Sequence, residues 1–246
     1  GQMLPRGVVK GGAAMQIRLG DAESRATRDL DVARAAELSI EAYLEQLGER
    51  LASGWGGFTG TVRDATGPSP VDVPPDYVMR PFLVRLSYRG NFWFTVPFEL
   101  GRDEVGSTVS PDVRMSPAIT DLFARIRLPA PTPIPLLPVD HQMAQKLHAC
   151  TWLDRNGQNE RAHDLVDLQI LVREEEPDLA HVRTTAQRLF ESRRAQSWPP
   201  VVKAFSDWDS LHTAASEGLG VLATAEDAVS WTNSLITRID AVASVT

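Results

Sequence analysis

Two neighbouring stretches alternate apolar and polar or small positions with a period of two: Val78, Phe82, Val84, Leu86 and Tyr88, then Phe92, Phe94, Val96, Phe98 and Leu100. Successive side chains of a strand face opposite sides, so each series predicts one strand with a core-facing edge. The short link Arg89-Gly90-Asn91 closes the two into a hairpin. On the second strand the other face carries Trp93, Thr95, Pro97 and Glu99, so Glu99 is an acid backed by core; it reads either as a site carboxylate or as an exposed strand-end glutamate. Upstream, the apolar pair Val8-Val9 ends at Lys10 and is followed by Gly11-Gly12, which open a helix over 11–19. A polar loop, Gly20 to Ala26, leads to a second strand carrying Asp29 and Asp31. Leu38, Ala42, Leu44, Leu47 and Leu51 then recur at helical spacing over 35–51, and Trp55 to Val62 forms a short strand before the prolines at 68, 70, 74 and 75.

The second half has a different rhythm. Residues 129–138, PAPTPIPLLP, exclude a helix or a central strand and read as a semi-rigid connector. After it come helical patterns at about 140–154, 158–173, 179–193, 204–216 and 224–243, with Thr224 and Asp227 as an N-cap pair for the last. The expected class is α+β, divided into an α/β lobe over 1–128, a Pro-rich connector over 129–139 and a helical lobe over 140–246.

Composition narrows the class. The chain has 246 residues, 43% hydrophobic and 23% charged, enough to bury a sizeable core. No apolar run approaches the roughly 20 residues that span a bilayer, and no signal peptide opens the chain, so a cytoplasmic protein without membrane contact is expected. The single Cys150 excludes an intrachain disulfide and a thiolate zinc cluster; it reads as a small buried apolar residue. His141, His148 and His163 have no metal-ligand spacing with it or with one another. A net charge of −7 argues against a nucleic-acid coat protein but leaves room for a local basic groove, for which Arg80, Arg85, Arg89 and Arg102 form one set and Arg183, Arg188, Arg193 and Arg194 another.

The chemistry concentrates around the glycine pair. Asp29 and Asp31 project from one face of their strand, and two carboxylates so placed repel unless a cation separates them; a hard divalent metal such as Mg²⁺ suits the pair. The backbone N–H groups of a Gly-opened helix favour an anion. Together these point to a metal and a triphosphate. The series Lys10, Gly11, Gly12, a gap, then Arg25, Thr27, Asp29 and Asp31 resembles the opening motif of the AbiEii/AbiGii (MenA-like) toxin nucleotidyltransferases of the DNA polymerase β-like superfamily. That superfamily often has Gly-Ser where this chain has Gly11-Gly12, so backbone donors and Arg25 or Thr27 replace a serine hydroxyl at the phosphate. The segment with Lys146, Arg161, Asp164 and Asp167 resembles the family's second block.

The resemblance implies a nucleotidyltransferase-like mixed sheet with flanking helices followed by an α-helical lobe, and a toxin that moves a nucleoside monophosphate from a nucleoside triphosphate (NTP) to an RNA, the tRNA 3′ end, blocking translation. It implies Asp29, Asp31 and Glu99 as Mg²⁺ ligands, and Lys10, Gly11, Gly12, Arg25, Thr27 and Lys146 as nucleotide contacts. Asp167 would orient Lys146 or assist the incoming hydroxyl, and Asp164 would support the helix pair. A cognate antitoxin is an implied partner. Gly1 reads as an expression scar, and the start so near the first strand suggests that preceding sequence, or the family's leading helices, is absent. Two alternatives stay open: transfer to a small molecule or a protein hydroxyl, and a catalytically silent nucleotide-binding module of the same fold. The geometric expectation is that the acids of the first lobe and the lysine of the second converge on one triphosphate.

Overall fold

The computed structural model describes residues 1–20, 23–65, 79–154 and 156–242. Val78, the prolines at 68–75 and the last residue of the final predicted helix lie outside them. The chain divides into two compact units, one of Gly1–Gly20 with Ala26–Leu137 and one of Asp21–Arg25 with Pro138–Thr246.

The first unit is built on strands β1 (Gly7–Lys10), β2 (Leu30–Arg34), β3 (Phe58–Asp64), β4 (Arg80–Tyr88), β5 (Asn91–Gly101), β6 (Asp112–Arg114) and β7 (Ile134–Leu136). They form one mixed sheet in the order β3-β4-β5-β2-β1-β7-β6. Helices α1 (Gly11–Leu19), α2 (Ile40–Ser53) and α3 (Pro117–Arg125) join them. The hairpin β4–β5 turns through Arg89 and Gly90, whose φ values of 50° and 83° suit a two-residue primed turn. Helix α2 starts where the Ser39 side chain accepts from the Ala42 N–H at 3.1 Å, and its buried side, Tyr43, Leu47 and Leu51, packs in one core with Phe82, Val84, Phe98 and Leu100. Each such fully buried side chain is worth about 1.5–3 kcal/mol over leaving it in water.

Two expectations change here. The apolar face of β5 is core only at its far end: Phe98 and Leu100 are buried, whereas Phe92 and Phe94 are more than half exposed. A register shift between Leu86 and Ser87 inserts an extra residue on β5, so strict alternation fails toward the turn. The Pro-rich stretch is also more than a connector, because Ile134–Leu136 forms β7, parallel to β1 and antiparallel to β6. The strand is short enough that proline costs little: the Leu137 N–H, one residue past it, donates to the Val9 carbonyl at 2.8 Å, so that bond to β1 needs no donor from Pro135.

The second unit holds α4 (Val139–Ala149), α5 (His163–Glu175), α6 (Leu179–Arg193), α7 (Trp208–Ser216) and α8 (Ala225–Ala241). Helix α5 is buried on all sides from Asp164 to Leu171, which explains the near absence of amphipathic rhythm there. Helix α4 ends five residues earlier than its pattern suggests: the Asn159 amide donates to the carbonyls of Ala149 and Trp152, at 2.9 and 2.5 Å, and draws the chain just past Ala149 out of the helix. Thr224 caps α8 as expected, accepting from the Asp227 N–H at 3.1 Å. Among the described residues no helix is long and apolar enough to cross a membrane.

Candidate active site

In the α/β unit the site grows from the step between β1 and α1. Lys10 is both the last residue of β1 and the N-cap of α1; its side chain makes no capping hydrogen bond, and no acid lies within the first turn. The acid nearest the positive end of this helix therefore comes from outside it, the Asp31 carboxylate packed against Gly11. Gly11 follows with φ +62°, a left-handed conformation, and a Cβ there would collide with Asp31 Oδ2 and sit 3.1 Å from its Cγ. Only glycine lets the carboxylate and the start of the helix share this space.

The sheet sets the rest. Lys10 pairs with Asp31 across β1 and β2, and Asp31 pairs with Glu99 across the parallel strands β2 and β5. Partners in register share a face, so Lys10, Asp31 and Glu99 form one row with about 4.8 Å between strands. The residues beside them, Val32 and Leu100, turn into the core, which fixes the opposite face for the acids. A residue added at Gly101 would place its Cβ 3.7 Å from Lys10 Nζ, so the ammonium lies over the end of β5.

Asp29 stands apart. It lies one residue before β2 and is exposed, Thr27 is half-buried on the approach to the strand, and Gly12 is buried in α1. Among the described residues no group of three or more His, Cys, Asp and Glu side chains is arranged to hold a metal ion. The donor chemistry of Asp31 and Glu99 nevertheless fits a hard divalent cation: two like charges side by side on neighbouring strands favour one, and Mg²⁺ is commonly held by one or two carboxylates plus substrate phosphates.

The helical unit contains a second, buried constellation. Lys146 on α4 is 5% exposed, and its Nζ donates to Asp164 Oδ1 at 2.9 Å and to Asp167 Oδ2 at 2.5 Å. Asp164 and Asp167, three apart on α5, are both fully buried. Arg161 Nε donates to Asp164 Oδ2 at 2.8 Å, and Arg25 grips Asp167 from the other side, with Nε 3.1 and 3.2 Å from its two oxygens. Burial on its own would strip the charge from Lys146, but Asp164 and Asp167 outweigh it and raise its pKa above the ordinary lysine value. Burial likewise opposes ionisation of Asp164; Lys146 and Arg161 overcome it and hold that carboxyl well below the usual range. His163, beside this cluster, is pushed down to about 4 by burial and then by the neighbouring cations, so it is neutral at pH 7. Burial also pushes the Cys150 thiol up, in keeping with an inert core residue.

The pairing of Arg25 with Asp167 spans 142 positions of sequence and had no local signal. Arg25 reads in the sequence as part of the first motif, yet it belongs to the compact unit of the helices.

A glycine-opened helix start beside adjoining sheet carboxylates can hold a phosphate next to a cation. The chain belongs to the AbiEii family: the model of the nucleotidyl transferase AbiEii toxin, type IV toxin–antitoxin system, matches residues 4–232. It is thus a nucleotidyltransferase toxin of a type IV toxin–antitoxin system, with an NTP substrate and an antitoxin partner implied by the family, which generally uses divalent metal ions. In fold it is similar to MenT4, a nucleotidyltransferase toxin from Mycobacterium tuberculosis H37Rv, at 16% identity and a TM-score of 0.51, over 98% of this chain and 85% of that one. No curated protein sequence matches the chain.

Proposed function

We propose that this toxin transfers a nucleoside monophosphate from an NTP to an RNA acceptor, the 3′ end of tRNA, in the cytoplasm, with Mg²⁺ held by Asp31 and Glu99 and approached by Asp29. The observation that carries this reading is the row Lys10, Asp31, Glu99 at the start of α1, with Gly11 seated against the Asp31 carboxylate.

The reaction forms a bond from the acceptor hydroxyl oxygen to the α-phosphorus and breaks the bond to the pyrophosphate. Bound Mg²⁺ supplies neutralising charge on the phosphates and lowers the pKa of the attacking hydroxyl. The chain's own part is positioning and charge. Gly11, Gly12 and the first turn of α1 offer backbone N–H donors to a phosphate, with Thr27 as a further hydroxyl. Lys10 is the cation proposed for the phosphates beside this row, and for Arg25 and Lys146 the same role rests on the family resemblance alone. Of the two roles open to Asp167, orienting Lys146 is the one its contacts favour, since both its oxygens are already engaged by cations.

The test is incubation with each labelled NTP, Mg²⁺ and total tRNA. Label on tRNA with wild type, lost in Asp31→Ala and Glu99→Gln, supports the reading. Label on a protein or small molecule instead would move the acceptor to that class, and no incorporation into any acceptor would leave a silent nucleotide-binding module.

A further inference from the structure

The end of the β4–β5 hairpin exposes three consecutive aromatic residues: Phe92 at 57%, Trp93 at 59% and Phe94 at 55%. Large rings left this open on a monomer mark an interaction surface. They are not isolated. Phe58 at the start of β3 stacks obliquely on Tyr88 and Trp93, with ring centroids 4.8 and 4.9 Å apart, and Trp93 continues to Phe94 at 6.5 Å. Trp55, bridged to Phe58 through the backbone, carries the platform to Phe123 on α3 at 5.7 Å. Helix α3 itself buries no residue.

Guanidinium groups flank the hairpin end on both faces of the sheet. Arg85 lies over the Phe92 ring at 4.9 Å and Arg89 over the Tyr88 ring at 5.2 Å. The segments nearest the hairpin end, 55–61, 85–95 and 117–128, carry four arginines against one acid, whereas the whole chain is at −7. A positive field is therefore gathered here on an otherwise acidic protein. Arginines alone would fit any anion, and exposed rings alone any apolar partner. Rings stacked with arginines, at a hairpin end of one charge sign, suit a chain whose phosphates and base planes alternate.

We infer that this hairpin end is a docking surface for single-stranded RNA, with bases stacking on Trp93, Phe92 and Phe94 and phosphates meeting Arg85 and Arg89. The inference rests on the reading that the acceptor is RNA and says where that RNA is held. Trp93 and Glu99 lie on the same strand, six residues or about 20 Å apart, and the register shift leaves Phe92 on the Glu99 face and turns Trp93 to the other, so RNA held on the platform rounds the hairpin end several nucleotides before its reacting end.

The test measures fluorescence anisotropy of a 5′-fluorescein single-stranded RNA 12-mer with the full chain, without NTP or Mg²⁺, against a blunt RNA duplex. Wild type binds the single strand in preference. Trp93→Ala weakens binding about tenfold or more, and the double variant Arg85→Gln/Arg89→Gln lowers the slope of log K against log salt by about one, both with unchanged thermal melts because these side chains are exposed. Binding by the tip variants equal to wild type overturns the surface, as does loss in those variants of antitoxin binding with RNA affinity unchanged, which would make the patch a protein interface. The two readings fail separately. Trp93-dependent binding with no nucleotide incorporated into any RNA ends the transfer reading and keeps the surface; incorporation at the same kcat/KM in wild type and tip variants does the reverse.

Discussion

Replacing Lys146 by methionine, which keeps the bulk of the side chain and deletes the charge, tests the buried network directly. The ammonium is the innermost of its cations: Lys146 is 6% exposed at its side chain, against 21% for Arg25 and 48% for Arg161. Its loss leaves Asp164 and Asp167, both fully buried, with one arginine each. Removing one partner of a buried ion pair costs about 3–5 kcal/mol, and the surviving arginines put this case near the lower figure, about 3 kcal/mol. That is a large part of a typical domain's total stability and corresponds to a fall in Tm on the order of 10 °C. Urea unfolding at pH 7, followed by far-UV circular dichroism, reads it. The triple variant Lys146→Met/Asp164→Asn/Asp167→Asn regains part of the loss, since no uncompensated charge remains. A Lys146→Met protein within 0.5 kcal/mol of wild type would refute the idea that this ammonium neutralises the two acids. Activity of any Lys146 variant must therefore be scaled by its folded fraction before a phosphate role is assigned.

The network's pH dependence has a definite sign. Asp164 is depressed, so its contribution is fully present above the ordinary carboxylate pKa of about 4 and is lost as pH falls below it. Lys146 is raised, so its contribution is complete below about 10.4 and is lost only as pH climbs past that value. His163 acts in a different window. Its pKa of about 4 lies below the unfolded value, so stability falls as pH drops from about 6.5 toward 4, and His163→Gln flattens urea midpoints over that range; an unchanged slope would place the titrating group elsewhere. Gly11→Ala imposes a left-handed alanine at φ +62° and a Cβ against Asp31. A stability loss of about 1–2 kcal/mol with near-complete loss of nucleotide transfer follows, and wild-type turnover in that variant would show that the carboxylate has room to shift.

Local pattern alone determined most elements of this protein. The Val8-Val9 run, the glycine step into α1, the β4–β5 hairpin with its Arg89-Gly90 turn and the Thr224 cap are decided within a few residues of themselves, by φ preference, alternation and side-chain capping. The two motif blocks were legible for the same reason, as short spacings of charged residues. Tertiary structure decided the rest. That Asp31 stands between Lys10 and Glu99 depends on which strands pair and in what register, and register is set by burial of the opposite face of each strand rather than by the acids. That Arg25 holds Asp167 depends on chain path across 142 positions. The exposure of Phe92 and Phe94, which alternation assigns to the core, follows from where α2 covers the sheet and from the register shift near the turn. Periodicity states which face of a strand is apolar; only the packed neighbours determine whether anything covers it.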